Sequence, residues 1–142
     1  MIALDTNILV YSVRADSPWH QAALSCVRAV AEGSALWAIA WPCVHEFLAV
    51  ITHPKIFKKP TPLTQALDFV EDFRSREEVH LLGPGTGHWK IFVDLCRRGD
   101  ARGNLMPDAF HAALAIELGC EWLTLDRGFA RFPGLKWRHP LD

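Results

Sequence analysis

The 142-residue sequence predicts an α/β fold with a mainly parallel central sheet flanked by helices. Three observations predict it. Short apolar runs of strand length alternate with longer segments of helical periodicity. Those segments are long enough to be the crossovers that parallel strands require. No internal repeat or linker interrupts the alternation, so residues 1–142 read as one domain with room for a real core.

Ile2 to Leu9, IALDTNIL, passes abruptly from apolar residues to Asp, Thr and Asn. That is the pattern of a buried strand stopping at a polar site, with Asp5 at its carboxyl end. The plainer reading is that Asp5 or Asn7 only caps the next turn. Ser17 and Pro18 make an N-cap and first-turn pair for a first helix, whose apolar residues Ala22, Ala23, Cys26, Val27 and Val30 run to Gly33. Ala35 to Ala40 fits a second strand. Pro42 opens a second helix carrying Val44, Phe47, Leu48 and Ile51, and Pro54 stops it. After a loop rich in Pro and Lys, a third helix begins near Thr61 and Pro62, with Leu63, Ala66, Leu67, Val70 and Phe73 on one face. Val79 to Leu82 is a third strand. Gly83 to Gly87 turns into a fourth helix, which runs to Arg97 or Arg98 with Ile91, Phe92 and Leu95 inward and Gly99 as its stop. A fifth helix spans about Leu105 to Leu118 and closes on Gly119. Glu121 to Leu125 and Leu135 to Arg138 supply the last strands.

Composition narrows the classes. Half the residues are hydrophobic and 22% are charged, which is globular and not disordered. A formal net charge of -1 gives no global field toward nucleic acid, so any such binding needs a local patch. Cys26, Cys43, Cys96 and Cys120 lack CxxC spacing and lie mostly in apolar helical patterns, so buried free thiols are expected. With no apolar run of membrane length and no signal-peptide pattern at the N-terminus, the expected location is cytoplasmic.

The acidic residues carry the chemistry. Asp5 ends the first strand, Glu46 lies early in the second helix, Asp108 is in the first turn of the fifth, and Asp126 follows the fourth strand. In a parallel sheet the strand ends and the starts of the following helices share one edge, so all four carboxylates converge there. Singly, Asp108 suits a helix N-terminus and Asp126 caps the DRGFAR turn. Glu46, beside apolar Val44, Phe47 and Leu48, points outward or needs a partner. Four like charges at one edge repel unless cations are bound. Oxygen donors favour Mg²⁺ or Mn²⁺, and the matching chemistry is phosphodiester hydrolysis by metal-activated water.

The motifs LDTN, WPCVHEFL, PDAFHAALAIELG and LTLDRGFARFPGL resemble those of the PIN-domain ribonucleases, and within them the VapC-type toxins of bacterial toxin-antitoxin pairs. The resemblance covers nearly the whole chain. It implies a PIN-like three-layer sandwich and a Mg²⁺-dependent endoribonuclease, with Mn²⁺ as the other ion. It implies that Asp5, Glu46, Asp108 and Asp126 are the catalytic, metal-holding acids, Asp5 and Asp108 foremost as direct ligands, with Asn7 and Thr124 as supporting polar groups. It also implies an RNA substrate, a small cognate antitoxin and a homodimer. Trp19, Trp41 and Phe47 on the early helices are candidate antitoxin contacts, or else core residues.

Arg97, Arg98 and Arg102, just before the fifth helix, are the expected RNA-phosphate contacts, ahead of Lys55, Lys58 and Lys59. Other signals are weaker. GPGTG at Gly83 to Gly87 lacks the full dinucleotide spacing and reads as a turn. His45 and Glu46 begin a zincin-like motif, but Ala49 stands where its second histidine belongs. His111, three residues after Asp108, reads as structural, with a metal or proton-transfer role as the alternative. A phosphoacceptor signalling module would need an Asp after the third strand, where this chain has Leu82 and Gly83. A PIN fold kept only for protein binding would be expected to lose acids, and all four are present.

Overall fold

A computed structural model describes all 142 residues. The elements are β1 (Ile2–Leu4), α1 (Thr6–Val13), α2 (His20–Glu32), β2 (Trp37–Ala40), α3 (Trp41–Ile51), α4 (Leu63–Ser75), β3 (Val79–Leu82), α5 (His88–Arg98), α6 (Leu105–Leu118), β4 (Glu121–Leu123), a 3₁₀ turn (Arg127–Arg131) and β5 (Trp137–Arg138). All strand pairs are parallel, in the order β3-β2-β1-β4-β5. Connections from β1 to β2 to β3 step one way across the sheet, and the connection from β3 to β4 steps back. Right-handed crossovers therefore put α1 to α4 on one face and α5 and α6 on the other, giving three layers. Direction reverses between β1 and β4, so their carboxyl ends border the crevice where such sheets bind ligands.

The element order expected from sequence is present, with one helix more. The apolar run after Asp5 does not extend the strand: β1 stops at Leu4, and TNILVYSV forms α1. Ile8, Leu9 and Val10 are all buried. A short helix packed on several sides has no polar face, so its sequence lacks the 3.6-residue periodicity that marks amphipathic helices. The first expected helix begins at His20 and not at Ser17–Pro18. Ser17 instead accepts from the Trp19 N–H in a preceding turn. In α4, Ala66 and Val70 are buried, but Leu63 and Leu67 are exposed, which narrows the predicted apolar face.

The core joins both helical layers to the sheet through Trp37, Ile39, Phe47, Trp122 and Phe129. Phe47 packs edge-on against Phe69 and Phe73, and the Trp37 ring does the same against Phe73. Phe47 is thus a core residue, while Trp19 and Trp41 are each 40% exposed. All four cysteines are free; Cys43 and Cys120 are buried, and Cys26 and Cys96 are partly so. No helix is long and apolar enough to cross a membrane. The GPGTG segment is a turn anchored to α6: the Gly85 and Gly87 N–H groups donate to the Glu117 carboxylate, each at 3.0 Å. A Cβ on Gly85 would fall 2.5 Å from Glu117 Oε1, which is why glycine stands there.

Candidate active site

Asp5, Glu46, Asp108 and Asp126 line one cavity of about 530 Å³ at the carboxyl edge of the sheet. They differ in how they are held. Asp5 is the N-cap of α1, and its Oδ1 accepts from the Thr6 N–H at 2.7 Å. Its Oδ2 accepts from Thr124 Oγ1 at 2.6 Å and from Asn7 Nδ2 at 3.1 Å. Asn7 also reaches Thr124 Oγ1 at 3.2 Å, while its Oδ1 accepts from the Leu125 N–H at 3.1 Å. One polar network thereby joins the ends of β1 and β4. The capping reading and the site reading of Asp5 are both true, because the side chain that caps α1 also faces the cavity.

Glu46, three residues beyond Cys43 on α3, is exposed and accepts from Thr6 Oγ1 at 2.9 Å. Thr6 thus serves two acids, one through its backbone and one through its hydroxyl. Asp126 is exposed and caps the 3₁₀ turn by accepting from the Gly128 N–H at 2.7 Å. Its own N–H donates to Thr124 Oγ1 at 2.9 Å. Asp108, in the first turn of α6, is half-buried with Glu46, Asp126 and Arg131 as its charged neighbours. Burial first, then the charges of Asp126 and Glu46, push its pKa up to about 6, with Arg131 opposing them. Asp5 is pushed further, to about 7, by burial above all. Its hydrogen bonds from Thr124 and Thr6 work against that rise, and Glu46 and Asp108 add to it.

Other walls of the cavity include Tyr11, Val50, Ile56 and Phe57. Ile56 and Phe57 come from the loop between α3 and α4, and a buried arginine fixes that loop. Arg14 pairs with Asp16 at 2.6 Å and donates to the Lys59 carbonyl at 2.8 Å and to Thr61 Oγ1 at 3.2 Å. Its guanidinium lies 4.0 Å from the centre of the Phe57 ring. Beneath Asp5, His111 is buried, stacks on Trp122 at 5.3 Å and places Nε2 3.6 Å from Cys43 Sγ. Burial lowers its pKa to about 4, so the ring is neutral at physiological pH.

Arg97, Arg98 and Arg102 do not line this cavity. Arg98 pairs with Asp94 and Arg102 with Asp100 on the surface, and Arg97 borders a shallow depression beside Trp89. The cation that sequence reasoning missed is Arg131, within electrostatic reach of Asp108. It lies inside DRGFAR, a motif read for its acid alone. Arg14 is the other, and nothing in its local sequence announces its burial. Lys55, Lys58 and Lys59 are exposed on the loop that Arg14 holds.

The sequence profile of the PIN domain matches residues 2–135. A VapC ribonuclease of Mycobacterium bovis is 37% identical over 142 residues, which is 100% of this chain and 97% of the relative. Ribonuclease VapC48 of Mycobacterium tuberculosis is 32% identical over 139 residues, covering 97% and 96% of the two chains. Among solved structures, VapBC2 of Rickettsia felis bound to a promoter DNA fragment superposes with a TM-score of 0.73 at 20% identity, covering 98% of each chain. The sarcin-ricin loop cleaving toxin VapC20 of M. tuberculosis gives 0.69 at 16% identity, over 96% and 99%. At such identities these likenesses establish the fold.

Proposed function

The chain belongs to the PIN-domain family, and from that premise we propose that it is a divalent-metal-dependent endoribonuclease, a cytoplasmic toxin of the VapC kind. The observation that carries this reading is the convergence of four carboxylates in one cavity at the β1/β4 crevice. The ribonuclease names of its full-length relatives support the choice of RNA.

The donor set fits a hard cation. The four acids present oxygen donors only, and the two whose pKa values rise, Asp5 and Asp108, are those for which burial without a counter-charge is costly. Mg²⁺ or Mn²⁺ would be held by Asp5 and Asp108, with Asp126 and Glu46 completing the acidic ring. The bound ion supplies Lewis acidity at the phosphoryl group and makes water a competent nucleophile at neutral pH. Thr124, Asn7 and the Thr6 N–H fix the direction of the Asp5 carboxylate. Thr6 Oγ1 holds one Glu46 oxygen and leaves the other open to accept a proton from the attacking water. Arg131 sets positive charge beside Asp108, where a phosphate must approach.

The same reading includes a small antitoxin and a toxin dimer. Half-exposed Trp19 and Trp41 and the apolar cavity wall at Tyr11, Ile56 and Phe57 give a partner surface to cover. The solved VapBC structure of similar fold supports the antitoxin part of that expectation. The test is cleavage of cellular RNA by the purified, chelator-treated protein with and without Mg²⁺ or Mn²⁺, followed by end-group analysis. Cleavage that requires the ion and leaves 5′-phosphate and 3′-hydroxyl ends is expected. Metal-independent cleavage leaving a cyclic phosphate would overturn the reading.

A further inference from the structure

The floor of the acidic cavity holds a second donor set of a different chemical kind. Cys43 comes from the first turn of α3 and His111 from α6, helices on opposite faces of the sheet, and they meet beneath Asp5. One ligand atom from each of Asp5, Cys43 and His111 lies within 4.8 Å of the other two, and all three residues are buried. We propose that these residues form a site for a thiophilic divalent cation of the zinc class, which competes with the hard ion for Asp5 and holds the nuclease inactive. The competition rests on the proposed role of Asp5 in hydrolysis. The binding does not.

Distance and donor chemistry carry the inference together. Zn–S of about 2.3 Å and Zn–N of about 2.0 Å at a tetrahedral ion separate sulfur from nitrogen by about 3.5 Å. Cys43 Sγ and His111 Nε2 already stand at 3.6 Å. Thiolate and imidazole do not attract Mg²⁺ but select ions such as Zn²⁺, and the Irving–Williams order places Zn²⁺ above Mn²⁺ at any shared nitrogen, oxygen or sulfur donor set. Three protein ligands leave a fourth position toward the cavity, which Asp5 and His111 both line. The carboxylate is already oriented by Thr124 and Asn7, and the imidazole by its stack on Trp122. On binding, the Cys43 thiol proton leaves to solvent as the sulfur–metal bond forms, with no change of oxidation state.

Cobalt(II) replaces zinc as the spectroscopic probe, added to the metal-free full-length protein. The expected result is a near-ultraviolet thiolate-to-cobalt band with visible bands of tetrahedral strength, saturating at one ion per chain, bleached by Zn²⁺ and lost in Cys43→Ala. Absence of a thiolate band, or its persistence in Cys43→Ala, would overturn the site. Because Cys43 lies in the core, zinc-edge X-ray absorption on the unaltered protein gives an independent decision: one sulfur per zinc is expected, and a shell of nitrogen and oxygen alone overturns the proposal. For the competition, one equivalent of Zn²⁺ should slow Mn²⁺-supported RNA cleavage at least tenfold in the parent and leave Cys43→Ala unaffected. Equal inhibition of both proteins would overturn it. A protein that binds cobalt through sulfur yet cleaves no RNA would refute the nuclease reading and leave the metal site standing.

Discussion

Asp5 and Asp108 face the same cavity from opposite sides of the β1/β4 crevice, and the chain treats them differently. Asp5 is buried and accepts hydrogen bonds from Thr6, Asn7 and Thr124. Asp108 is half-buried, with charged neighbours in place of such partners. One carboxylate has its direction built into the fold, and the other is free to adjust to whatever ion or phosphate arrives. A site made only of held groups would need perfect geometry at folding. One made only of free groups would lose its preorganisation.

Charge removal should have the largest effect. Asp5→Asn and Asp108→Asn are each expected to lower kcat by at least about a hundredfold under matched Mn²⁺; on the proposed reading, in which both hold the same ion, the double variant should lose little more. Adding a methylene sharpens the contrast. Asp5→Glu, forced off its fixed partners, should lose about a hundredfold. Asp108→Glu should lose clearly less, and equal losses in steady-state assays would erase the distinction between the two acids.

Next in size is the network itself. Thr124→Val removes the 2.6 Å bond to Asp5 and strands the Asp126 N–H. It should cost about 1–3 kcal/mol in denaturant unfolding and about tenfold to a hundredfold in activity. Asn104, which lines the cavity at the start of α6 without a side-chain cap, offers the matching change on the Asp108 side. Asn104→Ala should shift stability by less than about 0.5 kcal/mol.

Asp5 and the neighbouring His111 separate by pH. The folded-state pKa of Asp5, about 7, lies above its unfolded value. The stability it contributes is therefore complete below pH 3.8 and lost as pH rises through 7, at up to about 1.4 kcal/mol per unit. Metal-free parent should accordingly lose stability relative to Asp5→Asn across that window, as read by thermal unfolding. His111 runs the other way: its pKa is lowered to about 4, so its contribution is present above its unfolded value of 6.5 and is lost as pH falls through 4. A parent that tracked Asp5→Asn at every pH would contradict the burial of the Asp5 charge. The smallest effect belongs to Trp41→Ala, whose half-exposed ring should cost little stability while weakening association with a co-expressed antitoxin.

The parallel sheet and the acidic edge were legible because strand ends, helix starts and acids fall at fixed places in the alternation. Most elements lie close to their predicted bounds, and α6 and β3 coincide with theirs. What stayed hidden depended on packing across the layers. No local pattern marks α1 as a buried helix, and none reveals that Arg14 grips the loop carrying Phe57. Asn7 and Thr124 were named through the family resemblance, yet the bond joining them spans 117 residues, a pairing no local pattern specifies. The contact between His111 and Cys43 is non-local in the same way, joining two helices across 68 residues. Arg97, Arg98 and Arg102 are close in sequence to α6, but their helix end and turn point them at Asp94, Asp100 and solvent.

Titration of Mn²⁺ into metal-free protein, followed by calorimetry, tests most directly whether held and free carboxylates act as one site. The account predicts binding in the parent that weakens at least tenfold in both Asp5→Asn and Asp108→Asn, and that weakens in the parent as pH falls below 7 and protons compete for the acids. Parent-like affinity in Asp108→Asn would contradict it, because the ion would then be held without the carboxylate that α6 brings to the crevice.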